Sequence, residues 1–131
     1  MFCINRNIVP SRLDLHFEHF GAAIVCESSN ATFSNCIISE NIYFGIYSRY
    51  DSQIQIKDCI ISRNEGYGIR SWGGTVITDS TVSQNAGTGI YCEDNTTISN
   101  CTISGNKCGI HCDDNNVIKN CIILGNTYED L

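Results

Sequence analysis

Residues 89–106, GIYCEDNTTISNCTISGN, and residues 109–126, GIHCDDNNVIKNCIILGN, match at 11 of 18 positions. The matches are scattered: Gly, Ile, Cys, Asp and Asn keep their places while the residues between them vary. A strand with one buried face reads this way, because successive side chains point to opposite sides. Upstream, AIVCESSNATFSNCIISEN (23–41), GIYSRYDSQIQIKDCIISRN (45–64) and GIRSWGGTVITDSTVSQN (68–85) bring the series to five copies, whose starts lie 22, 23, 21 and 20 residues apart. A half copy precedes them: Asp14, Leu15, Phe17 and Phe20 sit 21 residues before Asn35, Cys36, Ile38 and Asn41.

Each copy holds three short runs of alternating polarity. In the fourth they are Ile90 to Cys92, Thr97 to Ser99 and Cys101 to Ser104, broken at Asn100 and again at Gly105-Asn106. No break-free segment is long enough for a helix. A unit of three strands recurring in one direction stacks on its own copy ~4.8 Å away, which makes three parallel sheets. The positions that do not vary are then the inward ladders. These are Ile24, Ile46, Ile69, Ile90, Ile110; Phe33, Ile56, Ile77, Ile98, Ile118; and Ile38, Ile61, Val82, Ile103, Ile123. Two mixed ladders read Cys36, Cys59, Ser80, Cys101, Cys121 and Cys26, Ser48, Ser71, Cys92, Cys112. Asn41, Asn64, Asn85, Asn106, Asn126 and Asn35, Asp58, Asp79, Asn100, Asn120 are read as bends, since Asn tolerates left-handed backbone and its amides stack along an axis.

The consensus G-I-Y-C-x-D-N-x-x-I-x-N-C-x-I-x-G-N resembles the repeat of right-handed parallel β-helix proteins, the pectate-lyase-like superfamily, over roughly residues 14 to 126. The resemblance implies an all-β, right-handed parallel β-helix solenoid of five to six coils with three parallel sheets. It also implies a secreted or cell-surface location, although no signal peptide is visible at the amino terminus. Characterised members are mostly polysaccharide lyases, glycoside hydrolases, epimerases, phage tailspikes and adhesins, so the repeat indicates the fold and leaves the activity open. Residues 1–13 are expected to be an N-terminal cap or a severed coil, and 14–131 the repeat domain. NTYEDL falls where the next G-I-x-C strand is due. The expectation is therefore a fragment of a longer β-helix, continued by further coils or a capping partner.

The 131 residues carry 8 Lys plus Arg against 14 Asp plus Glu, a formal charge of -6, which argues against a nucleic-acid partner. No apolar run approaches the ~20 residues of a membrane span. Nine cysteines cannot all pair within one chain. Cβ atoms stacked in a parallel ladder lie ~4.8 Å apart, beyond the ~3.8 Å of a disulfide, so the cysteines are expected to be reduced thiols filling ladders. Cys108, His111 and Cys112 do not read as zinc ligands, because Cys112 faces inward and His111 outward. No G-x-S-x-G turn is present. Of the motifs of polygalacturonase-like β-helix enzymes only a D-D dipeptide occurs, Asp113-Asp114. One Met and three His weigh against copper.

The outward face carries the functional candidates. Beside the inward Ile and Cys of the G-I-x-C strand, the outward rows read Val25, Tyr47, Arg70, Tyr91, His111 and Glu27, Arg49, Trp72, Glu93, Asp113. Aromatic and guanidinium planes suit sugar rings and their carboxylates, so Tyr47, Arg70, Trp72, Tyr91 and His111 are the expected glycan-binding residues. Catalytic candidates are Glu93, Asp113, His111 and Arg70, with Glu93 and Asp113 expected at about the separation of a retaining glycosidase pair. As an enzyme the chain would be a polysaccharide lyase or glycoside hydrolase. No cofactor is required; Ca²⁺ could sit among Glu93, Asp94, Asp113 and Asp114. The expected function is carbohydrate binding or polysaccharide processing, and the alternative is a non-catalytic structural or adhesive solenoid.

Overall fold

The computed structural model describes residues 2–4, 7–10 and 22–131. The half copy at Asp14, Leu15, Phe17 and Phe20, with His16 and His19, lies outside the described residues. Strands β1 (Phe2–Ile4) and β2 (Asn7–Pro10) come first, and five coils of three strands follow. In each coil the first strand is β3 (Ile24–Glu27), β6 (Ile46–Arg49), β9 (Ile69–Ser71), β12 (Thr88–Cys92) or β15 (Cys108–Cys112). The second is β4 (Asn30–Ser34), β7 (Gln53–Lys57), β10 (Thr75–Thr78), β13 (Thr97–Ser99) or β16 (Val117–Lys119). The third is β5 (Ile37–Ser39), β8 (Ile60–Ser62), β11 (Thr81–Ser83), β14 (Thr102–Ser104) or β17 (Ile122–Leu124). Like strands of neighbouring coils pair in parallel, so the wall of the solenoid is three parallel sheets, and no helix occurs among the described residues. Strands β1 and β2 run antiparallel to β5 and β4 at the edges of two of these sheets.

The predicted register holds. Ile24 pairs with Ile46, Ile46 with Ile69, Ile69 with Ile90 and Ile90 with Ile110, and all five are buried. The Phe33 and Ile38 ladders are buried in the same way through Ile98 and Ile103, while Ile118 and Ile123 of the fifth coil are half-buried. An inward ladder absent from the sequence reading, Ala31, Ile54, Thr75 and Thr96, opens the second sheet. Its threonines are tolerated because they find partners: Thr75 Oγ1 lies 2.5 Å from Ser71 Oγ, and Thr96 Oγ1 donates to Gly73 O at 3.4 Å.

The two Asn ladders differ in kind. Asn35, Asp58, Asp79, Asn100 and Asn120 do bend the chain through left-handed backbone, with φ between 52° and 55°. The Asn41 ladder does not. There the left-handed residue is the one before it, Glu40, Arg63, Gln84, Gly105 or Gly125, and Asn41, Asn64, Asn85 and Asn106 are buried. Their amides form a column: Asn41 Nδ2 donates to Asn64 Oδ1 (2.7 Å), Asn64 to Asn85 (2.8 Å), Asn85 to Asn106 (2.9 Å) and Asn106 to Asn126 (3.1 Å). Each Oδ1 also accepts the backbone N–H of the Asn one coil before it, as from Asn64 N to Asn85 Oδ1 at 3.1 Å. The column ends on Asp130, whose Oδ1 accepts from Asn126 Nδ2 at 2.8 Å; an acceptor-only side chain suits that place. The same column explains the Gly before the ladder Ile in the second to fifth copies, where the first has Ala23. A Cβ on Gly68 would lie 2.8 Å from Asn85 Nδ2 and 2.6 Å from Gly89 O, where no side chain fits.

Candidate functional site

The first sheet presents its outward row in register, with Tyr47 beside both Val25 and Arg70, and Tyr91 beside both Arg70 and His111. Burial then divides the row. Val25 and Tyr47 are 1% and 3% exposed, packed with Ala22 and Phe44, so Tyr47 cannot lie against a ligand as expected. Outward direction does not guarantee exposure: Phe44, from the turn before β6, lays its ring 5.5 Å from that of Tyr47. Tyr91 and Arg70 are half-buried, and Trp72 and His111 are exposed.

Arg70 stands at the centre. Its guanidinium carbon lies 5.3 Å from the ring centre of Tyr91, 5.4 Å from Trp72, and 5.8 Å from both Tyr47 and Tyr67. Four negative ring faces hold the cation, and the enclosure restricts the rotamers of a long side chain. Arg49 pairs with Glu27 and Arg63 with Glu40 (3.3 Å), but among the described residues Arg70 has no ion-pair partner, and its buried Nε has no hydrogen-bond acceptor. Glu27 and Arg49, expected in the outward row, are thus consumed by each other.

Tyr67 and Phe44 were not among the expected site residues. The sequence carried a signal, an aromatic two residues before the ladder isoleucine in FGI and YGI, yet nothing local said that these rings would turn toward the row. They complete a stack along the solenoid axis. Phe44 to Tyr67 is 5.3 Å at 27°, Tyr67 to Tyr91 is 5.8 Å at 6°, and Tyr91 to His111 is 5.0 Å at 14°. The exposed Trp72 stands edge-on to Tyr47 at 6.5 Å, on the other side of Arg70. The resulting surface is a cation walled by flat apolar faces, with an imidazole at one end.

The acidic residues lie at that end. Asp113 N donates to Cys92 O at 3.1 Å, which sets Asp113 beside Glu93 on the neighbouring coil. His111 Nε2 is 3.9 Å from Asp113 Oδ1, a solvent-facing pair with side chains 50% and 57% exposed, worth little to stability. The Asn116 amide donates to the carbonyls of Glu93 (2.6 Å), Asp113 (2.9 Å) and Asp114 (3.0 Å), tying the two turns together. Among the described residues no three His, Cys, Asp or Glu side chains converge on a metal position.

The cysteines depart from expectation. Cys92 and Cys112 form a disulfide, with Cα atoms 4.7 Å apart. Stacked cysteines can pair after all, because that Cα separation lies inside the ~4.4–6.8 Å range of disulfides and side-chain rotation closes the remaining distance. Cys26, Cys36, Cys59, Cys101, Cys108 and Cys121 are thiols. Those stacked at the bends also bond backbone carbonyls: Cys59 donates to Lys57 O (3.2 Å), Cys101 to Ser99 O (3.2 Å) and Cys121 to Lys119 O (3.3 Å). Burial pushes the Cys26 thiol up to about 12 and those of Cys59 and Cys101 up to about 11.

No helix among the described residues is long and apolar enough to cross a membrane. Neither a curated protein nor a solved structure matches the chain. A family model described as the right-handed beta helix region matches residues 7–130. With that match running over nearly the whole chain, and with five stacked coils of three parallel sheets, the chain belongs to the right-handed β-helix family.

Proposed function

We propose that the outward face of the first sheet binds a glycan that carries carboxylates. The observation that carries this reading is Arg70, a cation walled by four rings with no carboxylate of its own among the described residues. An incoming uronate would supply the missing anion, and charge-assisted hydrogen bonds to a guanidinium are the strong ones. Tyr91 and the exposed Trp72 would take sugar faces, and His111 would donate to a hydroxyl. Coils repeat every ~4.8 Å, close to the length of a sugar residue in an extended chain, so successive rings of one ligand meet successive coils. Any lyase or glycosidase chemistry would fall to Glu93, Asp113 and His111 at the exposed end of the strip, with Arg70 neutralising the uronate.

The structural solenoid remains a second reading, and the burial of Val25 and Tyr47 favours it, since part of the outward row is spent on packing. A glycan array carrying neutral and uronate oligosaccharides separates the two. The expected result is binding of uronate chains, reduced about tenfold by Arg70→Gln, in line with loss of a hydrogen bond to a charged group. Uronate binding untouched by Arg70→Gln removes Arg70 from the site. An array left blank by the folded wild type establishes the structural reading. Product release from any bound polymer then decides between binder and enzyme.

A further inference from the structure

The turn after the first strand is longer in the second coil than in the coils on either side. Cys26 pairs with Ser48 and Ser48 with Ser71; beyond the turn, Ala31 pairs with Ile54 and Ile54 with Thr75. Residues 49–53 therefore cross in the second coil where 27–30 cross in the first and 72–74 in the third, one residue more than before it and two more than after it. The surplus must leave the wall of the tube. Tyr50 and Asp51 have left-handed backbone, with φ of 56° and 55°. Asp tolerates that conformation, but for a bulky aromatic it is an outlier. The base of the loop is fixed: Ser52 is buried, and its Oγ lies 2.7 Å from Arg49 O and accepts from Ser29 N at 3.2 Å. The Tyr50 ring lies 4.7 Å from the guanidinium of Arg49, which is paired with Glu27, and Tyr50 stays 56% exposed. Next to the loop, the exposed Trp72 is followed by Gly73 and Gly74, so no side chain of that turn covers the loop; a Cβ on Gly73 would come within 3.3 Å of Ser52 O.

We propose that this loop is a branch subsite of the glycan strip: a neutral sugar carried as a side branch lies against Tyr50 while the uronate main chain runs over Trp72, Arg70 and Tyr91. The inference rests on the proposed glycan site and adds the class of its ligand, a branched acidic glycan. An insertion in one repeat of a solenoid leaves the stacked wall intact and places its side chains on one face, commonly the binding face. Here that place is the edge of the strip. Trp72 joins the two parts, with its ring 5.4 Å from the Arg70 guanidinium and its backbone N–H donating to Ser48 O, next to Arg49. The two cations differ in charge balance. Arg70 has no ion-pair partner among the described residues and calls for a carboxylate, whereas Arg49 has Glu27. The Tyr50 platform therefore offers a ring face beside a neutralised cation, which suits the apolar face of an uncharged sugar. A bulky ring held in unfavourable backbone and largely in water takes no part in the inward ladders, and such outliers gather at ligand clamps.

Calorimetric titration of the wild-type chain with a linear uronate oligosaccharide, and with the same oligosaccharide bearing one neutral hexose branch, tests the subsite. The branched ligand should bind about fivefold tighter, the ratio that one aromatic contact supplies. Tyr50→Asn should erase that ratio, leave the affinity for the linear ligand unchanged and melt within ~3 °C of wild type, since Asn accepts the left-handed backbone. Tyr50→Phe keeps the ring face and should keep the ratio. A branch that is itself a uronate should add nothing, because Glu27 already occupies Arg49. Equal binding of the linear and neutral-branched ligands by the wild type overturns the subsite and leaves the glycan site standing. A ratio that survives Tyr50→Asn, or a loss shared equally by both ligands, overturns it too. A Tyr50→Asn variant melting more than ~3 °C below wild type makes the ring a structural prop and overturns its role as a platform. A uronate branch that gains as much as the neutral one overturns the assigned ligand class. No binding of either ligand by the folded wild type removes the glycan site and the subsite with it.

Discussion

Asn85→Ala interrupts the amide column in the middle of the solenoid. The wild-type side chain accepts from Asn64 N (3.1 Å) and Asn64 Nδ2 (2.8 Å) and donates to Asn106 Oδ1 (2.9 Å) and Ile61 O (3.3 Å). After truncation Asn64 Nδ2 keeps Ile38 O (3.4 Å), and Asn106 Oδ1 keeps the Asn85 backbone N–H (3.0 Å). The stranded group is the Asn64 backbone N–H. A buried donor left without a partner costs ~1–3 kcal/mol, and the other broken bonds roughly 1 kcal/mol between them, for a total of about 3 kcal/mol. In a domain of this size that corresponds to a melting temperature lower by ~10 °C. The half-buried Asn126 supplies the control: Asn126→Ala opens its partners to water and should cost only ~1 kcal/mol. Asn85→Asp keeps the acceptor but turns a carboxylate toward Asn106 Oδ1 and Ile61 O. With two acceptors facing a buried carboxylate oxygen, this variant should also melt below wild type at neutral pH. Circular dichroism melts and urea titrations measure all three. An Asn85→Ala variant that melts within ~3 °C of wild type, or no lower than Asn126→Ala, would refute the reasoning.

Trp72→Ala combined with Tyr91→Ala should abolish uronate binding while shifting the melting temperature little, because neither residue contributes to the inward ladders; surviving binding moves the site elsewhere. Stability should fall above about pH 9. The folded thiols of Cys26, Cys59 and Cys101 are raised from 9.0 to about 12, 11 and 11, so their stabilisation is complete below 9 and lost as pH rises toward those values, by at most about 1.4 kcal/mol per pH unit for each thiol. Flat urea midpoints between pH 8 and ~10.5 would contradict this. Millimolar Ca²⁺ should leave the melting temperature unchanged, since no three candidate side chains converge; a rise shows binding to the folded state. Thiol titration of the denatured chain should rise by two groups on reduction, the yield of the Cys92–Cys112 disulfide; no rise means that Cys92 and Cys112 are thiols.

The coil, its three strands and the inward ladders were legible in the sequence because they rest on local, recurring constraints. Alternation with period two fixes which side chains share a face, and recurrence of Ile24, Ile46, Ile69, Ile90 and Ile110 aligns one coil on the next. A slip of one residue would expose every one of them. The left-handed bends at Asn35, Asp58, Asp79, Asn100 and Asn120 were readable for the same reason, since conformational tolerance belongs to the residue itself.

What the tertiary structure alone decided depends on side chains meeting outside any one strand's alternation. Alternation placed Tyr47 outward, but only the position of Phe44 shows that it is covered. Arg70 was a candidate by residue type; its enclosure by Tyr47 and Tyr91 of the neighbouring coils and by Tyr67 of its own, which the outward row did not contain, comes from side-chain rotation. The Asn41 ladder was expected to bend the chain and to stack its amides along the axis; the stacking holds, and only the left-handed bend falls on the residue before each Asn. What the structure adds is that the column is buried, each amide finding its acceptor one coil further on. The disulfide followed the same logic. Mean ladder spacing is a property of the backbone, and whether two sulfurs join is settled by the rotamers that Cys92 and Cys112 adopt at the edge of a particular pair of strands.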